Sequence, residues 1–297
     1  MSWVSVAVEL KQAQAEALAD ALLELGALSV DIMDADAGTE RETPAFDEPG
    51  EPSGIRWDRS RVSAVFDLEV DHRRVLQAAC VRLGLTVPPD VQTRVIPDQD
   101  WVSATQRQFA PVQVSRRLWV VPSWAAAPDP NALNLWLDPG LAFGTGSHAT
   151  TQQCLRWLDD HVRPGWSVLD YGCGSGILAI AAKKLGAGRV VGVDIDPNAI
   201  DTSLRNASRN RVEVKFALPD AVNEDIFDVV IANLLANPLR VLAPLLAARA
   251  RTAGWIVLAG ILERQVAAVR QAYANWVELA PVYPCEGWTC LSGARKL

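Results

Sequence analysis

Gly172, Gly174 and Gly176 stand at alternate positions behind a short apolar run that ends in Asp170 and Tyr171, and an apolar helical stretch, residues 177–185, follows at once. Glycines so spaced remove the Cβ where the chain must turn sharply, and they let a ligand lie against the main chain at a helix N-terminus. The spacing narrows the ligand. A dinucleotide fingerprint requires GxGxxG, but Ile177 stands where its third glycine belongs and Gly176 comes one residue early. GxGxG behind an acidic strand end is the pattern of an S-adenosylmethionine pocket. Asp194 closes a second β-rich run, residues 190–194, where its carboxylate can accept two hydrogen bonds from a ribose diol; such an acid supports a nucleoside cofactor without choosing one. Asn233 ends a buried-type strand, residues 227–233. An amide at that position can accept an N–H, which suits a methyl acceptor that must aim a lone pair at the donor while its hydrogens are held elsewhere.

A second glycine-rich segment, residues 137–151, contains Phe143 and ends in Thr150 and Thr151 before a helical stretch at 152–161. Either threonine can cap that helix, and beside the glycine turn the Thr151 hydroxyl can also reach the ligand. Phe143 is the candidate wall of the site. His148 is read as a loop-packing or hydrogen-bonding residue rather than a base. Cys173 is read as small buried filler, because no His or Lys lies near it in sequence.

The elements that must hold these residues fall into two groups. Residues 4–10 alternate apolar and polar, a helical stripe follows over 11–25 with Gly26 at its end, and 28–33 reads as a strand. A polar, Pro- and Gly-rich loop is expected from Asp34 to Ser60. Alternation returns at 62–68, helical spacing at 75–83, and a strand at 91–96. The order βαββαβ predicts a small α+β ferredoxin-like domain over residues 1–98. Residues 99–130 form an aromatic and Pro-rich linker, with Trp101, Phe109, Trp119 and Trp124, that packs rather than dangles. Residues 131–297 carry strand candidates at 167–170, 189–194, 212–217, 227–233, 255–259, 276–283 and 288–293. Helices between the first five predict a doubly wound, mostly parallel α/β sheet, with the last two strands as an edge hairpin.

Composition excludes several classes. At 297 residues, 49% hydrophobic and 21% charged, the chain can bury sizeable cores, and no apolar run approaches the roughly 18 residues of a spanning helix. Its first residues lack the basic and apolar regions of a signal peptide, so a cytoplasmic protein is expected. The five cysteines are odd in number and irregularly spaced, which argues against a disulfide framework, and no His/Cys cluster has metal-ligand spacing, so no metal is expected. Residues 1–98 hold 18 acids and 9 bases, against 17 and 19 in the remainder, so the front domain carries the whole negative excess. An acidic face repels nucleic acid and draws a basic partner.

With these residues assembled, the chain resembles the bacterial ribosomal protein L-eleven methyltransferases, the PrmA family. The resemblance rests on residues 137–151, 168–185, 193–197, 232–239 and 260–262 and covers nearly the full length. It implies a small N-terminal domain that recognises the basic ribosomal protein and a Rossmann-like class I methyltransferase domain with a seven-stranded sheet. The implied reaction transfers methyl groups from S-adenosylmethionine to lysine side chains and the α-amino group, leaving S-adenosylhomocysteine. By position the family's cofactor contacts fall on Thr151, Gly172, Asp194 and Asn233. No direct nucleic acid or membrane binding is expected, and the chain is expected to act as a monomer. It departs from the commonest family pattern at Thr105, Ser115, Ala149 and Ala259, where tryptophan, glycine, proline and serine are usual.

The chemistry sets one physical problem, because only a neutral amine can attack the sulfonium methyl. Neutralising a lysine of pKa about 10.4 at pH 7 costs roughly 4 to 5 kcal/mol, and an α-amine only about 1. A closed apolar site beside a positive sulfur lowers the amine pKa by desolvation and like-charge repulsion, so no strong base is required. Asn233 is the candidate catalytic residue, orienting the amine through its side-chain oxygen, while Gly172 and Gly174 admit the donor and Asp194 holds its ribose. Two other readings differ in acceptor or in class: a nucleic acid base or small amine as substrate, which tight RNA binding at low salt would favour, and a non-catalytic module, which zero methyl transfer would favour.

Overall fold

A computed structural model of the chain describes residues 2–37, 39, 41, 57–88, 90–97, 109–138, 146–222 and 225–297. The chain divides into two compact units, Met1–Ala104 and Thr105–Leu297.

In the first unit, alternation becomes one-sided burial. Val4, Val6 and Val8 of β1 (Trp3–Lys11) and Val62, Ala64 and Phe66 of β3 (Arg59–Asp67) enter one core. Helix α1 (Gln12–Glu24) covers it with Ala15, Leu18 and Leu22, and α2 (His72–Arg82) with Leu76, Ala79 and Cys80. With β2 (Ser29–Asp34) and β4 (Gln92–Ile96) the strands form an antiparallel sheet in the order β2-β3-β1-β4, the ferredoxin-like arrangement expected from the sequence. Asp71 starts α2 by accepting the Arg74 N–H at 3.1 Å. The expected loop is shorter than the polar composition suggested. Asp34 closes β2 and Arg59 and Ser60 open β3, because pairing with β1 runs on to Lys11↔Arg59; residues 42–56 of that loop lie outside the described residues.

The second unit begins with a small sheet, β5 (Val112–Gln113), β6 (Leu118–Val121) and β7 (Leu133–Trp136). Leu118, Val120 and Leu135 share a core with Trp157, Ile180 and Val168, so the aromatic stretch beyond Phe109 is built into the second unit. Polar ties hold it there: Trp136 and Asn210 exchange two hydrogen bonds of 2.9 and 2.7 Å, and Arg117 pairs with Asp159 at 2.7 Å. Trp101 lies outside the described residues.

The large sheet follows the order β10-β9-β8-β11-β12-β14-β13. Its strands are β8 (Val168–Tyr171), β9 (Val190–Val193), β10 (Lys215–Ala217), β11 (Phe227–Asn233), β12 (Ala250–Leu262), β13 (Ala280–Cys285) and β14 (Trp288–Ala294). The first five in spatial order are parallel, and the hairpin β13–β14 returns antiparallel at the edge. This is the seven-stranded, mostly parallel Rossmann-like sheet expected. Helices α3 (Ala149–His161), α4 (Ile177–Lys184) and α5 (Pro197–Arg209) precede β8, β9 and β10, and α6 (Ala236–Val241), α7 (Ala243–Arg249) and α8 (Val266–Tyr273) follow β11 and β12. Both faces are covered: Val168, Val229 and Ile231 pack with α3 and α4, whereas Leu169, Val230 and Ala232 pack with Leu239, Leu246 and Tyr273. Two-sided burial explains why these strands read as unbroken apolar runs. Strand β10 starts later than expected, after Arg211 takes a left-handed φ of 55°, and β12 starts earlier, at Ala250.

Candidate active site

The predicted site residues gather at the C-terminal ends of β8, β9 and β11, the edge where open α/β sheets bind ligands. Gly172, Gly174 and Gly176 have φ of 79°, 52° and 79°, a left-handed conformation at alternate positions that side chains resist. At Gly176 a Cβ would lie 2.8 Å from Ser203 Cβ and 2.9 Å from the Phe216 ring, so the bend is also tightly packed from α5 and β10. The N–H groups of Gly172 and Cys173 both donate to the Val193 carbonyl, at 2.7 and 2.9 Å, which ties the bend to the end of β9.

Asp194, the next residue, completes that tie. Its Oδ2 accepts the Gly174 N–H at 2.8 Å and its Oδ1 the Asp196 N–H at 3.0 Å. A carboxylate has about four acceptor sites, so each oxygen keeps capacity for a diol hydroxyl, and the side chain is half-buried at the surface of the bend. Asp196 caps α5 through the Asn198 N–H, which leaves Asp194 free of that duty.

Asn233 ends β11, and its Nδ2 donates to Thr151 Oγ1 at 3.3 Å. The two clusters meet at Leu234: a Cβ on Gly172 would fall 2.5 Å from Leu234 Cδ2. Helix α3 is capped by neither threonine. His148 is its N-cap, accepting the Thr150 N–H through Nδ1 at 3.3 Å and meeting the Thr150 hydroxyl at 2.8 Å, while Trp288 packs edge-on at 5.3 Å. Sequence could not tell which of several polar residues leaves the helix. The capping imidazole thus has the hydrogen-bonding role expected of it, and the Thr151 hydroxyl is spared for Asn233. Phe143 and the glycines at 140 and 144 lie outside the described residues.

Two further residues shape the site in ways that spacing does not show. Asp170 is fully buried; Oδ2 accepts the Ala179 N–H at 3.1 Å in the first turn of α4, and Oδ1 has no hydrogen-bond partner. Burial, with Asp194 adding repulsion against the help of the Ala179 N–H, pushes its carboxyl up to about 7. The acidic strand end was part of the sequence pattern, but its full burial was not legible there. Gly260 has φ of 84°, and a Cβ there would lie 2.2 Å from the Leu234 carbonyl oxygen and 3.3 Å from Asn233 Oδ1. Nothing in a sequence shows that one backbone crosses another so closely.

Cys173 is buried against Gly192 and Phe216, and desolvation first, then Asp170 and Asp194, push its thiol far up. It stays protonated and acts as filler. Of the departures, Ala149 opens α3 and packs with Leu262 and Trp288, Ala259 is fully buried in the sheet, and Ser115 Oγ accepts the Arg117 N–H at 3.2 Å; Thr105 lies outside the described residues. A cation-bearing nucleoside fits this edge: the half-buried Asp194 carboxylate stands at the bend with acceptor capacity to spare, and the bend itself carries no Cβ at 172, 174 or 176.

Similar proteins identify the family. The family described as Ribosomal protein L11 methyltransferase (PrmA) matches residues 2–296. The ribosomal protein L11 methyltransferase of Cupriavidus metallidurans is 55% identical over 296 residues, 99% of this chain and 97% of its own length. That of Burkholderia multivorans is 52% identical over 297 residues, 100% of this chain and 99% of its own. Among solved structures, the ribosomal protein L11 methylase of Lactobacillus delbrueckii subsp. bulgaricus is 34% identical with a TM-score of 0.58, covering 64% of this chain and all of that one. A family match over residues 2–296, with relatives more than half identical over almost their whole length, places the chain in the ribosomal protein L11 methyltransferase (PrmA) family.

Proposed function

We infer that the chain transfers methyl groups from S-adenosylmethionine to ribosomal protein L11, at lysine side-chain amines and the N-terminal amine. The observation that carries the reading is the Gly174 N–H bound to Asp194 Oδ2 at 2.8 Å, which joins the glycine bend to the ribose-side acid, with Asn233 at the neighbouring strand end. When bound, S-adenosylmethionine supplies an electrophilic methyl on a cationic sulfur. Gly172 and Gly174 admit it to the main chain, and Asp194 accepts the ribose hydroxyls. Thr151 and Asn233 close the methyl side, and Phe143 is the proposed wall.

Asn233 Oδ1 accepts an N–H of the incoming amine and turns its lone pair to the methyl. Desolvation lowers the amine pKa, so water takes the proton before closure and no side chain need act as a strong base. The hydrogen bonds of His148 to Thr150 and its place as the α3 cap assign it to positioning the helix. The first unit docks the basic ribosomal protein through its acidic surface, and the protein acts as a cytoplasmic monomer without nucleic acid. Among the described residues no helix is long and apolar enough to cross a membrane.

Incubating the purified chain with labelled S-adenosylmethionine and ribosomal protein L11, followed by mass spectrometry of the product, tests this directly. Label on lysine and N-terminal amines is expected. An L11 left unlabelled by folded enzyme would remove the assignment.

A further inference from the structure

We propose that Thr151 is a positioning residue that acts through Asn233, holding its amide in place for the acceptor amine. This rests on the reading of Asn233 given above. An asparagine amide can be placed two ways round, and only one presents an oxygen; the other presents an NH2, which cannot accept from an amine. Rotating it by half a turn would leave the amine nitrogen without its orienting acceptor.

Three features hold the amide in place. The Thr151 hydroxyl oxygen lies 3.3 Å from Asn233 Nδ2 and takes one amide N–H, which ties down the end of that side chain. Gly260 leaves room beside Oδ1, because a Cβ there would stand 3.3 Å from that oxygen. Thr151 itself is almost fully buried, at 3% exposure, and β-branching restricts its χ1, so the hydroxyl is not free to wander. Its backbone is set in turn by the helix start: the Thr151 N–H donates to the His148 carbonyl at 3.1 Å, and the His148 ring holds Thr150. Gln153, on the same helix, donates to the carbonyls of Tyr283 and Trp288 at 2.7 and 2.9 Å, which anchors this helix end to the edge hairpin. The arrangement is a rigid bracket behind one rotatable amide.

The test is a double-mutant cycle read as turnover at saturating donor, with donor affinity measured separately by calorimetry. Thr151→Val is expected to lower turnover about 10- to 100-fold, the cost of a misplaced reacting group. Thr151→Ser, which keeps the oxygen, is expected to return it to within about threefold of the parent. In an Asn233→Ala background Thr151→Val is expected to cost nothing further, because the amide it holds is gone. Thr151→Ala serves the same cycle if valine is not accommodated. Losses that multiply across the cycle, a serine variant as slow as valine, or a valine variant with parental turnover would each overturn the proposal. Absence of any donor-binding heat in the parent chain would instead sink the cofactor reading on which the proposal stands.

Discussion

The sheet of the first unit buries one face and that of the second buries two, and the difference decides where function can be written. In the first, side chains alternate between a Val4, Val6 and Val8 core and an opposite face that carries Ser5, Glu9, Arg61 and Ser63. In the second, β8 sends Val168 to one core and Leu169 to the other, which leaves only the strand ends for chemistry. At those ends the backbone does much of it, through left-handed glycines and main-chain N–H groups held by Asp194 and Asp170.

Glycine substitutions break this contrast most sharply. Gly260→Ala drives a Cβ to 2.2 Å from the Leu234 carbonyl, a backbone atom that cannot step aside. Denaturant unfolding is expected to show a loss of about 3 kcal/mol or more. Gly26→Ala in the first unit has a similar left-handed φ of 103° but nothing within 4 Å, so only the conformational cost of roughly 1 to 2 kcal/mol applies. Equal losses at the two positions would mean that close backbone approach is not what sets the second unit apart.

Asn233→Ala is the next largest effect and separates chemistry from folding. Turnover on the ribosomal protein is expected to fall on the order of a hundredfold, with the thermal midpoint shifted by only a few degrees, because the half-buried amide is held by a long hydrogen bond of 3.3 Å to Thr151. Near-parental turnover would take Asn233 out of the mechanism.

Asp170 sharpens the comparison through pH. Its carboxyl titrates near 7 when folded and near 3.8 when free, so between those values the unfolded chain has lost a proton that the folded chain keeps. Stability therefore falls as pH rises through that window, by up to about 1.4 kcal/mol per unit, and levels above it. Asp170→Asn keeps an acceptor for the Ala179 N–H and removes the charge. Its unfolding free energy is expected to lack this slope relative to the parent; parallel pH profiles would show that Asp170 is ionised without penalty.

These contrasts also explain what was legible in sequence. The alternation of β1 and β3 and the apolar runs of β8 and β11 were readable because burial imposes a period or its absence over four or more residues. Strands β5, β6 and β7 were not, since two to four residues between prolines carry no period, and their place depends on long-range ties such as Trp136 to Asn210. Gly172, Gly174, Asp194 and Asn233 were legible as candidates from the glycine spacing, the strand ends and the family resemblance, and the structure brings them to one sheet edge. The cap by His148 and the need for glycine at 260 depend on which groups meet in space, and residue types in a row do not record that.

The most direct measurement is isothermal titration calorimetry of the purified chain with S-adenosylmethionine and with S-adenosylhomocysteine. Saturable heat at one site per chain is expected for both, with affinity weakened at least about tenfold by Asp194→Ala through loss of the ribose acceptors and of the Gly174 N–H tie. Folded protein that gives no heat with either ligand would contradict the central claim that the glycine bend and its aspartate seat the methyl donor.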